Sequence, residues 1–212
     1  MSAVPSATAE PTFAELRTRF RDGKAALLEE FRAARASATA AARLLRALTR
    51  QVDRNLVALW ERTGMPDDAA LIAVGGYGRG ELFPYSDVDV LVLLPPGRGA
   101  DLADDGGDRK EAIERFISAC WDSGLAVSSS VRTVDECVAE GQRDVTVQTS
   151  LLESRFLCGS RRVFSTFRIA NTAAMDAKAF FVAKTLEMRQ RHLKFEDTPY
   201  ALEPNCKESP GG

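Results

Sequence analysis

The stretch LIAVGGYGRGELFPYSDVDVLVLLP, residues 71–95, sets two apolar runs around four glycines and two aspartates one residue apart. Its reading decides the fold. A dinucleotide-binding glycine loop opens a crossover helix of about three turns before the next strand. Here only Glu81 to Ser86 lie between the last glycine and Asp87. Gly75-Gly76-Tyr77-Gly78-Arg79-Gly80 also lacks the G-x-G-x-x-G spacing, and no Gly-Lys-Ser/Thr follows to make a phosphate loop of the ATPase type. The pattern is strand, glycine turn, strand.

If Val88 to Leu94 is a strand, Asp87 and Asp89 share one face, roughly 6 to 7 Å apart, while Val88 and Val90 turn into the core. Two carboxylates on one face repel each other unless a cation lies between them. A hard cation such as Mg²⁺ accepts oxygens from both and keeps water and phosphate oxygens as further ligands. The glycines offer the complementary part. Successive backbone N–H groups without Cβ bulk form an anion-binding concavity. Arg79 sits among them and suits bidentate pairing with phosphate. A lone Asp-x-Asp pair or a lone glycine cluster is usually only a turn. Together, with ten residues from Gly76 to Asp87, they point to a nucleoside triphosphate held between Gly75, Gly76 and Arg79 and metal-bound Asp87 and Asp89.

Outward from this centre, the pattern is helical on both sides. Phe13, Leu16, Phe20, Leu27 and Phe31, then Leu44, Leu48, Val52, Leu56, Leu59 and Trp60, recur at helical spacing. The alanine-rich join at Ala33 to Ala42 leaves one helix or two. Lys110 to Trp121 predicts a helix and Leu125 to Arg132 a strand. Thr133-x-x-Glu136 has the form of a capping box that starts another helix. Asp144 to Glu153 reads as helical, with a strand as competitor, and Asp176 to Phe195 as a long amphipathic helix. This order predicts an α+β fold, a small mixed sheet packed by helices. The expected division is a lead-in over 1–12, a helical segment over 13–66, a core over 67–170, and a helix and loop over 171–212.

The 212 residues carry a net charge of −2, so no global basic field favours nucleic acid, and acids interleave with the N-terminal arginines. Four scattered cysteines and a single histidine, His192, argue against a zinc site and for reduced thiols in a cytoplasmic protein. No apolar run approaches the roughly 18 to 20 residues that span a bilayer.

Gly-Gly, ten residues, then Asp-x-Asp on an apolar strand resembles the nucleotidyltransferase superfamily that includes DNA polymerase beta. VGGYGRGELFPYSDVDVLVLL is more closely similar to the N-terminal domain of the bifunctional [protein-PII] uridylyltransferase/uridylyl-removing enzymes. SVRTVDEC, DVTVQTSLLESRFLCG and RHLKFEDTPYALEPNCKESPGG extend that resemblance in the same order. It implies transfer of UMP from UTP to a tyrosine of the PII nitrogen-signalling protein, with Gly75, Gly76 and Arg79 at the triphosphate and Asp87 and Asp89 holding Mg²⁺. Another acceptor, or a nucleotide- or partner-binding module without activity, stays open. The superfamily usually places a third carboxylate on a following strand. Val127 to Arg132 contains none, which leaves Glu153 or Asp144 as candidates from neighbouring elements. Full family enzymes continue into a histidine/aspartate hydrolase domain and glutamine-sensing domains. With one histidine, this chain is expected to be a fragment without the uridylyl-removing site.

Overall fold

The structure, a computed structural model, describes residues 11–97 and 107–194. The lead-in before Pro11, residues 98–106 of the polar loop, and the tail from Phe195, with Cys206, lie outside the described residues. Two helices open the fold, α1 (Phe13–Ala33) and α2 (Ala38–Arg62). The alanine-rich join therefore breaks: Ala34 is extended, and Ser37 caps α2 by accepting from the Ala40 amide. Then come β1 (Ala70–Ala73), a one-turn helix α3 (Gly75–Gly78), β2 (Val88–Leu94), α4 (Asp108–Asp122) and β3 (Val127–Thr133). The chain continues through α5 (Val134–Arg143), α6 (Val145–Leu152), β4 (Arg155–Gly159), α7 (Arg161–Ala173) and α8 (Ala177–Lys194).

The capping box at Thr133 and Glu136 forms as expected, each satisfying an amide of the other's turn. Asp144 decides between helix and strand for the next segment. Its carboxylate accepts from the Thr146 and Val147 amides and so starts α6. β4 and α7 are elements that periodicity alone does not announce.

The sheet has the order β3-β2-β1-β4. β1 runs antiparallel to both neighbours, whereas β2 and β3 are parallel. A mixed α+β fold is thus what the sequence specifies. Val88, Val90, Val92 and Leu94 face a core shared with α1, α2 and α4, where Leu56 and Phe116 are fully buried. Leu91 and Leu93 face the opposite core, closed by Val134, Cys137, Leu151 and Phe167 from α5, α6 and α7. Alternation along β2 therefore feeds two cores. Only its N-terminal end breaks the apolar run, and there stand the two aspartates.

Candidate active site

β2 begins at Val88, so Asp87 lies at its mouth, exposed, and Asp89 is half-buried one step inside. By strand parity Asp89 belongs to the face of Leu91 and Leu93. Two flanks bound this strand end. On one side β1 runs into the glycine turn, and the Val74 amide donates to the Asp89 carbonyl. On the other side β3 starts, and the Val88 amide donates to the Ala126 carbonyl.

The glycines in the turn have different jobs. Gly75 takes the left-handed conformation, φ 58°, and a Cβ there would stand 3.5 Å from both Asp89 Oδ2 and Ser150 Oγ. Backbone thus approaches the carboxylate as closely as a methyl group allows. Val74 offers no side-chain cap, so the first amides of α3 are not satisfied by a capping side chain. Gly76 lies beside Arg79, whose Nη2 is 3.6 Å from the position of an added Cβ. Gly78 serves packing instead. A Cβ there would overlap the Glu153 carbonyl at 1.8 Å.

A second polar group holds this turn from behind. The Tyr77 ring is buried, and its hydroxyl donates to Asp53 of α2. Arg155 of β4 grips the same carboxylate with two bonds, 2.8 and 3.1 Å, and donates to the Tyr77 and Gly78 carbonyls at 3.3 Å. Burial first, and the neighbouring Asp53 charge second, push the Tyr77 phenol well above its ordinary value, so it stays protonated as a donor. Burial alone would lower Arg155, but its hydrogen bond to Asp53 and that charge outweigh burial and raise it. This node ties α2 and β4 to the glycine turn.

The structure brings Gly75, Gly76 and Arg79 to one flank of Asp89. It does not bring the sequence's spare carboxylates to the aspartates. Glu153, at the end of α6, pairs with Arg79 at 2.6 Å, and its hydrogen bond is the main reason the guanidinium is held above its ordinary value. Asp144 caps α6, and those amide bonds lower its carboxyl. Parallel register sets Ser128 of β3 directly beside Asp89. Among the described residues no group of three or more His, Cys, Asp or Glu gathers as a metal cluster. Two oxygen-donor carboxylates at a strand mouth nevertheless suit a hard cation that draws its other ligands from water and phosphate. Asp53, Tyr77, Arg155 and Ser150 carry no local sequence signal, because their partners lie far along the chain.

Comparison with known proteins identifies the chain's relatives. A family model described as nucleotidyltransferase domain matches residues 54–147, and one described as GlnD PII-uridylyltransferase matches residues 179–212. The bifunctional uridylyltransferase/uridylyl-removing enzyme of Cupriavidus pinatubonensis (strain JMP 134 / LMG 1197) is 53% identical over 199 residues, 94% of this chain and 22% of that protein. The enzyme of the same description from Burkholderia mallei (strain SAVP1) is 53% identical over 210 residues, 99% of this chain and 23% of that protein. This chain therefore spans less than a quarter of the length of these relatives. Among solved structures, one described as the toxin-antitoxin with AMP-PNP covers 68% of this chain and 95% of its own at 16% identity and a TM-score of 0.33, too loose a match to carry weight. An alignment at 53% identity across nearly the whole chain, joined to both family matches, is decisive: the chain belongs to the nucleotidyltransferase enzymes, in the family of the bifunctional uridylyltransferase/uridylyl-removing enzymes.

Proposed function

We propose that this chain transfers UMP from UTP to a tyrosine hydroxyl of a PII protein, in the cytoplasm and with Mg²⁺, releasing pyrophosphate. The observation that carries the reading is the approach of Gly75 to Asp89, where an added Cβ would stand 3.5 Å from the carboxylate, so the glycine turn and the aspartate share one pocket edge. Gly75 and Gly76 present backbone amides to the UTP phosphates, and Arg79 supplies the charge. Asp87 and Asp89 are the residues that would hold Mg²⁺. Bound there, the metal would offset charge on the attacking and leaving oxygens.

The tyrosine oxygen forms a bond to the α-phosphorus while the bond from that phosphorus to the bridging oxygen breaks, and pyrophosphate carries the electron pair away. A phenol has a pKa of about 10, so its proton must be lost with assistance as the new bond forms. Arg79 is already oriented by Glu153 towards Gly76. The Asp53–Tyr77–Arg155 node holds the turn so that little reordering accompanies binding. In this reading 13–66 is a helical support, 67–170 the transferase core and 171–212 the C-terminal helix and loop.

The absence of a third carboxylate among the described residues favours one competing reading, a nucleotide-binding module without turnover. Mg²⁺-dependent pyrophosphate release from UTP, measured with purified PII protein and with mass analysis of its tyrosines, separates the two. Modified tyrosine with stoichiometric pyrophosphate supports transfer. Nucleotide binding without either product refutes transfer by this chain, and transfer only to another acceptor refutes PII.

A further inference from the structure

The face of the sheet that carries Asp89 is covered in part by α6, whose Leu151 closes the core over Leu91 and Leu93. Ser150, beside it, turns towards the glycine turn. The two short helices meet in step. A Cβ on Gly75 would stand 3.5 Å from Ser150 Oγ, and a Cβ on Gly78 would stand 1.8 Å from the Glu153 carbonyl oxygen. Positions three apart on α3 thus meet positions three apart on α6, and the missing side chain at Gly78 lets the backbones come this close. Ser150 and Glu153 form the polar edge that α6 presents to the turn. The Glu153 carboxylate is occupied by Arg79. The half-buried Ser150 hydroxyl has no such partner among the described residues. Thr149 donates back to the Val145 carbonyl at 2.7 Å, the usual resort of a hydroxyl inside a helix, whereas Ser150 bonds neither to its own helix nor to Asp89.

Two side-chain oxygens therefore flank one corner of the turn. Asp89 Oδ2 and Ser150 Oγ each stand 3.5 Å from the space that a Gly75 Cβ would fill. Their hydrogen-bonding characters are opposite. An ionised carboxylate only accepts, so it meets an anion through a cation; a hydroxyl donates and meets a phosphate oxygen directly. An anion laid against the glycine amides lies beside both. We propose that Ser150 binds the triphosphate, its hydroxyl donating to a phosphate oxygen across the Gly75 corner from Asp89. The phosphates are then held by donors from two elements, the amides of the glycine turn and a side chain of α6. This rests on the nucleotide reading above and adds to it a residue that neither the glycines nor the aspartates supply.

The test uses the 212-residue chain and calorimetry with Mg·UTP and with Mg·tripolyphosphate, which has the phosphates and no nucleoside. Ser150→Ala is expected to weaken binding of both by about tenfold, the loss of one hydrogen bond to a charged group. Ser150→Thr keeps the hydroxyl and should bind both within about twofold of the parent chain. Because Ser150 bonds to no other described residue, Ser150→Ala should melt with the parent in the absence of nucleotide. Binding of Mn²⁺ alone, followed by electron paramagnetic resonance, should also be unchanged. Parent-like affinity in Ser150→Ala overturns the contact, and so do equal losses in the two variants. A loss confined to Mg·UTP would set the residue against the nucleoside, and a loss of Mn²⁺ binding would set it on the metal; either overturns the phosphate contact. In all these outcomes the parent chain still binds Mg·UTP and the nucleotide reading stands. A parent chain that binds no Mg·UTP removes both together.

Discussion

At the residue scale, the aspartates and glycines of the strand end are set against different costs. Asp87 stands exposed at the mouth of β2 and Asp89 half-buried one step inside, with no group of three or more His, Cys, Asp or Glu gathered among the described residues. Asp87→Asn and Asp89→Asn should each lower transfer by about a thousandfold or more, since several kcal/mol of charge stabilisation go with the metal. Melting temperature of the Asp87→Asn chain should stay level, because that side chain is exposed. Substantial residual transfer in either variant would remove these residues from the metal site. Arg79→Ala is expected to weaken UTP binding about tenfold in calorimetry. Its ion pair with Glu153 is half-exposed, so folding stability should barely move. Gly78→Ala belongs to another class. The added methyl meets the Glu153 carbonyl at 1.8 Å, and backbone must shift, at a cost of about 3 kcal/mol or more in urea unfolding.

At the element scale, the glycine turn is a part held between α2 and β4 rather than a free loop. Asp53→Ala leaves Arg155 and Tyr77 without their shared acceptor. Both ionic side chains keep some contact with water, 31% for Arg155 and 25% for Asp53, so the expected loss is about 2 kcal/mol rather than the larger cost of a fully buried break. Tyr77→Phe keeps the ring and should lose about half as much. Chemical denaturation of both variants checks the order; equal stability to the parent chain would show that the node holds nothing. None of this was legible in the sequence. Asp53 and Tyr77 lie 24 positions apart, and Asp53 and Arg155 lie 102 apart, beyond any periodic signal. β2 was legible because Val88 and Val90 alternate with Asp89 and lead into an unbroken apolar run. α5 was legible through its capping box at Thr133, whereas α6 reads as a helix with a strand as competitor until the Asp144 cap decides it. β4 escaped because Phe156 to Cys158 is too short to show a period. α7 buries only Val163 and Phe167 among polar and β-branched neighbours, so its stripe is faint. The candidate site was half visible: residues near in sequence could be assembled, whereas Ser150, Glu153 and Arg155 arrive by folding.

At the scale of the whole molecule, a four-stranded sheet separates two cores, and each core contains a buried thiol. Cys120 of α4 sits under one face and Cys137 of α5 under the other. Burial pushes each thiol from 9.0 up to about 12, with the nearby Arg132 opposing it at Cys137. Below pH 9 folded and unfolded chains both keep these protons, and the thiols contribute their full share of stability. Between pH 9 and about 12 the unfolded chain releases them while the folded chain does not, so proton release favours unfolding and stability falls. At pH 10 this amounts to about 1.4 kcal/mol for each thiol. Lysines and tyrosines titrate in the same range, so the informative comparison is internal. A Cys120→Ala/Cys137→Ala chain should start less stable at pH 8, yet lose stability with rising pH on a shallower slope than its parent. Site-resolved alkylation at pH 8.5 should leave both thiols unmodified in the folded chain and modify both in denaturant. Identical slopes, or rapid alkylation of either residue in the folded state, would mean that one of the two cores opens independently of global unfolding. Separate rates at Cys120 and Cys137 would then identify which face of the sheet gives way first.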